Sequence, residues 1–180
     1  MAMLKGKSIS AMQESIKKRI EGIVLEHRRS TCERLEELAY RREDTGKNFS
    51  AGRLFEKASR KARHIGDNRK GLDMMLRAID SYENYASRRE KMAREASRDN
   101  SPELAISYLS DAMTGQAHAA YLAYIINEPT LQERSRRLLS RAERNNSVLE
   151  ANADYSSPNY FFYDEQSLNK MRFLRRVYGD

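Results

Sequence analysis

Apolar residues recur every three or four positions along most of this chain, which is the spacing of one face of an α-helix. The clearest case is the N-terminal segment from about residue 10 to residue 43. Its apolar positions nearly repeat every 11 residues, a period that follows a straight or slightly right-handed helix. The pattern therefore predicts one long helix. Its apolar stripe consists of Ile9, Met12, Ile16, Ile20, Ile23, His27, Thr31 and Leu38.

Five more helices are predicted downstream, because the same spacing continues between turn signals. Gly66 suits a left-handed helix cap, and Ser101 followed by Pro102 is a typical helix start. No segment shows the strict alternation of a β-strand. We therefore expect an all-α fold, an elongated bundle of about six helices with a long N-terminal helix. The five downstream segments are residues 51–65, 69–97, 102–126, 130–152 and 164–178.

Three local details of these helices are also predicted. Ser10 and Gln13 resemble a capping box, which would start the first helix near residue 10. Gly22 and Gly115 lie inside the first and fourth helices, where glycine weakens a helix and a break can occur. Residues 101–133 hold no Lys or Arg, so the fourth helix is expected to be the most enclosed.

Composition changes near residue 155. Seven of the 15 aromatic residues lie in the last 26 residues, so we divide the chain into a helical bundle (residues 1–154) and an aromatic, basic C-terminal arm with a short helix (residues 155–180). The arm either docks into a partner, where aromatic and Arg anchors dominate binding, or closes over its own bundle. Stacking on nucleic-acid bases is a third interpretation. The candidate partner-binding residues are Tyr155, Tyr160, Phe161, Phe162, Tyr163, Phe173, Arg175, Arg176 and Tyr178.

Large apolar residues are scarce. Leu, Ile, Val and Phe make up 33 of the 180 residues, just under the ~20% at which a strongly charged chain starts to resemble a disordered one. This small number of large apolar residues predicts thin, elongated helical packing that a second chain could complete. The leading hypothesis is therefore a non-enzymatic interaction or assembly protein, oligomeric, with the first helix and the arm as contact surfaces.

Basic residues form two stripes, and these give an alternative hypothesis. Lys and Arg outnumber Asp and Glu by 33 to 26, and Arg suits bidentate contact with phosphate. Spacings of three and four place one stripe on the second helix and another on the fifth, so each could follow a row of phosphates without reading sequence; alternatively, both are only solvated faces. The candidate nucleic-acid-binding residues are Arg53, Lys57, Arg60, Lys61, His64, Arg134, Arg137, Arg141 and Arg144.

Catalytic and metal-binding motifs are not found in the sequence. His27, His64 and His118 lie in separate segments, and there is neither an HExxH motif nor a phosphate-binding glycine loop. Cys32 is the single cysteine, which rules out an internal disulfide. We expect no enzyme activity, no cofactor and no metal. His27, on the apolar face of the first helix, is expected to be a core or interface residue rather than a pH switch or ligand.

Neither a membrane span nor a secretory signal is predicted. The longest apolar run, residues 117–126, has ten residues, whereas about 20 are needed to cross a bilayer. The first ten residues lack the apolar stretch of a secretory signal. With a single cysteine, this favours a cytoplasmic protein.

Overall fold

Six helices and no strand make up the described part of the chain, which confirms the predicted all-α bundle. The computed structural model describes residues 2–152 and 165–179, with side chains from residue 12 onward. Five of the candidate arm residues, Tyr155, Tyr160, Phe161, Phe162 and Tyr163, lie outside these ranges. The helices are α1 (Ala2–Asp44), α2 (Asn48–His64), α3 (Asn68–Arg98), α4 (Pro102–Ile126), α5 (Pro129–Ala151) and α6 (Glu165–Tyr178).

The helix boundaries agree with the sequence pattern except at the N-terminus. Helix α1 begins at Ala2, so Ser10 lies inside it and the predicted capping box is wrong. The residues before Ser10 include Ala, Met, Leu and Lys, which favour a helix and carry it past the predicted start. Between α2 and α3, Gly66 takes the expected left-handed backbone with φ +83°. Asp67 then caps α3 by accepting a hydrogen bond from the Lys70 backbone N–H at 3.0 Å.

Helix α4 forms the centre of the bundle, with α3 and α5 packed on it and α6 completing the cover. Six of its 13 buried residues are alanine, and Ile106, Met113 and Leu122 are its large apolar buried side chains. This confirms that the helix without Lys or Arg is the most enclosed. Neither Gly22 nor Gly115 interrupts its helix.

At Gly115, α4 lies close to the backbone of α3. A Cβ atom at this position would lie 3.0 Å from the Tyr82 carbonyl oxygen and 3.2 Å from the Ala86 Cβ. Glycine is therefore needed here because a side chain would force the two backbones apart. In contrast, a Cβ at Gly22 would meet no atom within 4 Å.

Helix α1 has two parts with different surroundings. Every residue from 12 to 30 is exposed. Further along, Cys32 and Ala39 are buried, and the Tyr40 ring meets Phe55 of α2 edge-on at 5.2 Å. Lys70 of α3 pairs with Glu36 at 2.6 Å. The C-terminal part of α1 thus packs on α2 and reaches α3 through side-chain contacts, and the preceding part extends away from the bundle.

A helix with both the length and the apolar character needed to cross a bilayer is absent from the described residues.

Candidate interaction surfaces

The α1 stripe, defined here as Met12, Ile16, Ile20 and Ile23, is a row of large aliphatic side chains left in solvent. Their exposed fractions are 66%, 49%, 55% and 62%, respectively. All four occupy the predicted apolar face of the long helix, but nothing in the described part of the chain covers them. The sequence located the stripe correctly and left open what packs against it.

The α1 stripe lies on the side of the helix away from the bundle. At 3.6 residues per turn, Ile16 and Cys32 point in directions about 160° apart. Leu38 projects within about 40° of Ile16 and is 39% exposed, although it lies in the part of α1 that packs on the bundle. Helix α1 therefore has two apolar faces, and among the described residues the face that includes Cys32 packs on the bundle while the other stays exposed.

His27 lies on the outer side of α1 as well. Its side chain is exposed, so the predicted core position is wrong, and the alternative of an interface residue stays a prediction. The reason is the same as for the α1 stripe, because the helix has left the bundle at this point.

The basic stripe of α2 faces solvent, opposite the buried side that contains Phe55 and Ala58. The guanidinium of Arg60 lies 4.0 Å from the carboxylate of Glu56, one turn earlier in the helix. The other members have no ion pair among the described residues. The exposed members are Arg53, Lys57, Arg60, Lys61 and His64.

The basic stripe of α5 is divided between two environments. Arg134 donates hydrogen bonds to Asp80 at 2.6 Å and to Glu83 at 2.9 Å, both on α3. Arg137 and Arg144 are exposed. One turn beyond Arg137 along the chain, Arg141 pairs with the α3 carboxylate of Glu90. Half of the predicted phosphate row therefore joins α5 to α3 through ion pairs.

Glu90 of α3 accepts hydrogen bonds from two α5 residues, Arg141 and Asn145. Its carboxylate accepts hydrogen bonds from Arg141 at 2.6 Å, from Gln116 at 2.5 Å and from Asn145 at 3.2 Å. Burial alone would raise the pKa of Glu90, but the hydrogen bonds from Arg141 and Asn145 hold it below its ordinary value. A signal for this pairing exists in the sequence, since Glu83 and Glu90 have the same seven-residue spacing as Arg134 and Arg141.

A polar cluster that the sequence did not predict joins α2, α3, α4 and α6. The fully buried Tyr82 donates its hydroxyl hydrogen bond to Glu56 at 2.6 Å, and His118 Nδ1 lies 3.8 Å from the same carboxylate. Lys170 Nζ of α6 lies 2.7 Å from His118 Nδ1. Burial raises the pKa of Tyr82. Burial also works to raise the pKa of Glu56, but the nearby His118 imidazole and the hydrogen bond from Tyr82 lower it overall.

Helix α6, the helical part of the predicted arm, lies on its own bundle. Phe173 packs edge-on against Tyr124 with ring centroids 5.6 Å apart. Tyr178 donates a hydrogen bond to Gln132 at 2.9 Å. Arg175 pairs with Glu143 at 2.5 Å, whereas Arg176 is exposed. In this segment the structure agrees with the alternative in which the arm closes over its own bundle.

Neither a metal site in the described part of the chain nor a similar known protein assigns a role to these surfaces. Within residues 2–152 and 165–179, no group of three or more His, Cys, Asp or Glu side chains is placed to hold a metal ion. No family model, curated protein or solved structure matches the chain. The exposed surfaces of the described helices are therefore the features that bear on function.

Proposed function

We propose that this protein is a non-catalytic assembly protein that self-associates through the α1 stripe. The observation that supports this is the 49–66% exposure of four large aliphatic side chains in one row. Covering apolar surface yields about 25 cal/mol per Å². Single exposed apolar residues are ordinary, but a contiguous apolar patch is typical of an interaction site.

A second copy of α1 is the partner that the pattern fits. The apolar spacing repeats over residues 9–27, so two identical helices can bring apolar layers together over about 27 Å. Side chains of both signs, such as Glu14, Lys17 and Glu26, lie beside the apolar positions. Two copies therefore do not oppose surfaces of a single charge.

The fold leaves this surface free for assembly. The bundle holds α1 through the face that contains Cys32 and Ala39, which is already buried. A partner helix can therefore bind the α1 stripe without displacing α2 or α3.

Light scattering coupled to size exclusion, over a wide concentration range, tests the proposal. The wild type should show a multiple of 20.9 kDa, and an Ile16→Gln/Ile20→Gln double variant should be monomeric with unchanged helical circular dichroism. Leu104→Gln is the matched control, because Leu104 is 47% exposed at the start of α4, and it should associate like the wild type. A wild type that is monomeric throughout, or a double variant that associates normally, contradicts the proposal.

A second candidate function, sequence-nonspecific nucleic-acid binding, is favoured by the outer face of α2. Its cations are exposed and, apart from Arg60, have no ion pair among the described residues. In this respect they differ from Arg134 and Arg141. A row of unneutralised cations along about 16 Å of helix can follow adjacent phosphates.

Binding to duplex and single-stranded DNA across a salt series tests this candidate. The affinity should fall steeply with salt, and Lys57→Gln/Lys61→Gln should reduce the slope of log affinity against log salt by about 2. Lys91→Gln, whose side chain is 74% exposed on α3, is the control and should leave the slope nearly unchanged. Absence of binding at low salt removes this candidate.

A further inference from the structure

A cleft of about 370 Å³ lies between α3, α4 and α5. This volume falls within the ~300–1,000 Å³ of small-molecule sites. The cleft opens on the side of α5 that faces α3, whereas α6 packs on another side of α5 through Glu143 and Gln132. It is therefore distinct from the α1 stripe and from the α6 contacts.

One wall of the cleft is held in place by a hydrogen-bonded network. Glu90 accepts hydrogen bonds from Arg141 and Asn145, both of which line the cleft. Asn145 also donates to the buried Gln116 at 3.0 Å. The guanidinium of Arg141 is thus oriented before any ligand arrives. It carries five N–H donors, and Glu90 accepts a bond from one nitrogen, so donors remain for a ligand.

The other polar groups of the cleft are two cations without a carboxylate partner. Arg94 comes from α3, one turn after Glu90, and Arg144 comes from α5. Both are exposed, and neither has a hydrogen bond or ion pair among the described residues. Three arginines and one glutamate line the cleft, so it holds an excess of positive charge that nothing in the described structure neutralises.

Apolar side chains complete the lining. Leu109 of α4 is half-buried, and Val148 of α5 is 45% exposed. They offer an apolar contact next to the guanidinium groups. Pockets that combine apolar lining with a few converging polar groups are typical of small-molecule sites.

We propose that this cleft binds a small organic anion, in which an oxyanion head meets Arg94, Arg141 and Arg144 and an apolar body lies on Leu109 and Val148. Guanidinium groups bind carboxylate and phosphate oxygens through paired, charge-assisted hydrogen bonds. The head is a carboxylate or a phosphate, since both present the oxygens that the arginines require. This site is separate from the surface proposed for assembly.

Titration of ¹⁵N-labelled full-length protein followed by NMR tests the proposal. Phenyl phosphate and benzoate distinguish the two head groups, benzyl alcohol lacks the charge, and inorganic phosphate lacks the apolar body. At least one of the two aromatic anions should cause saturable shifts at Leu109, Asn145 and Val148. Benzyl alcohol and inorganic phosphate should bind at least about tenfold more weakly.

Charge-removing variants locate the site. Arg94→Gln and Arg144→Gln should each weaken binding of the anion about tenfold, and both should fold normally because neither side chain has a partner in the described structure. Arg29→Gln on α1 removes an exposed cation from a helix that does not line the cleft, and it should bind like the wild type. Three results overturn the proposal: no saturable shift in the cleft, inorganic phosphate binding as tightly as the aromatic anions, or equal weakening by Arg29→Gln.

Discussion

The first half of α1 exposes its large apolar residues, whereas the centre of α4 is buried although many of its residues are small. Residues 12–30 of α1 carry Met and Ile side chains and are all exposed. Helix α4 is buried along most of its length although alanine and glycine supply most of its buried positions. Small residues let neighbouring backbones approach closely, so burial here follows backbone proximity rather than side-chain size. Large aliphatic residues that remain outside are then available for a partner.

The largest expected effect comes from truncating an apolar side chain in each region. Met113 is fully buried in α4, so Met113→Ala should lower the free energy of unfolding by about 3 kcal/mol through lost burial and a cavity. Ile20→Ala in the α1 stripe should change it by less than about 0.5 kcal/mol in the monomer. Urea unfolding of both variants at low concentration measures the difference. Equal losses would mean that the α1 stripe is covered within one chain.

Replacement by alanine should have opposite effects on stability at the two mid-helix glycines, Gly115 and Gly22. Gly115→Ala gains helix propensity of about 1 kcal/mol but presses a methyl against the Tyr82 backbone carbonyl. Because a backbone atom cannot rotate away, we expect a net loss of about 1 kcal/mol. Gly22→Ala meets no neighbour and should strengthen the helix. Circular dichroism and urea unfolding of the pair test this, and a stabilised Gly115→Ala would show that α3 can move.

Acid should weaken the bundle through carboxylates that border α4. The pKa values of Glu56 and Glu90 are lower in the folded protein than their ordinary value of 4.5, so the unfolded chain takes up protons at higher pH than the native state. Their contribution is present above about pH 4.5 and is lost as pH falls through the folded pKa values.

The pH dependence of urea unfolding measures this effect, which we expect to be the smallest of the three. Glu90→Gln, which keeps the shape of the side chain, should flatten the decline in unfolding free energy between pH 5 and lower pH. Replacement of Glu14, an exposed residue of α1 that pairs only with Lys18 of the next turn, should leave the profile unchanged. A profile in which both variants behave alike would contradict the assignment to Glu90.

Local patterns predicted the helices but not their partners. The 3.6-residue periodicity and the turns at Gly66 and Pro102 identified the helical segments because these signals depend on neighbours within one helix. The Glu56, Tyr82 and His118 cluster was missed because its members lie on three helices, and Glu56 and Tyr82 are 26 residues apart. Only the packing of the helices brings them together.

The two basic stripes show the same limit. Their spacing in the sequence is alike, yet Arg134 and Arg141 reach carboxylates of α3 while Lys57 and Lys61 face solvent. Periodicity states which side chains share a face, and the neighbouring helix decides whether that face is neutralised.

The order of helices along the chain, the position of the apolar row on α1 and the enclosure of α4 follow from the sequence alone, because each depends on spacing or charge within one segment. Three other features were decided by tertiary structure. The bundle holds α1 by the face opposite the α1 stripe, α6 lies on α4 and α5, and the arginines of α5 are shared between ion pairs and an open cleft. These depend on how helices distant in sequence orient their faces, and helical periodicity does not specify that orientation.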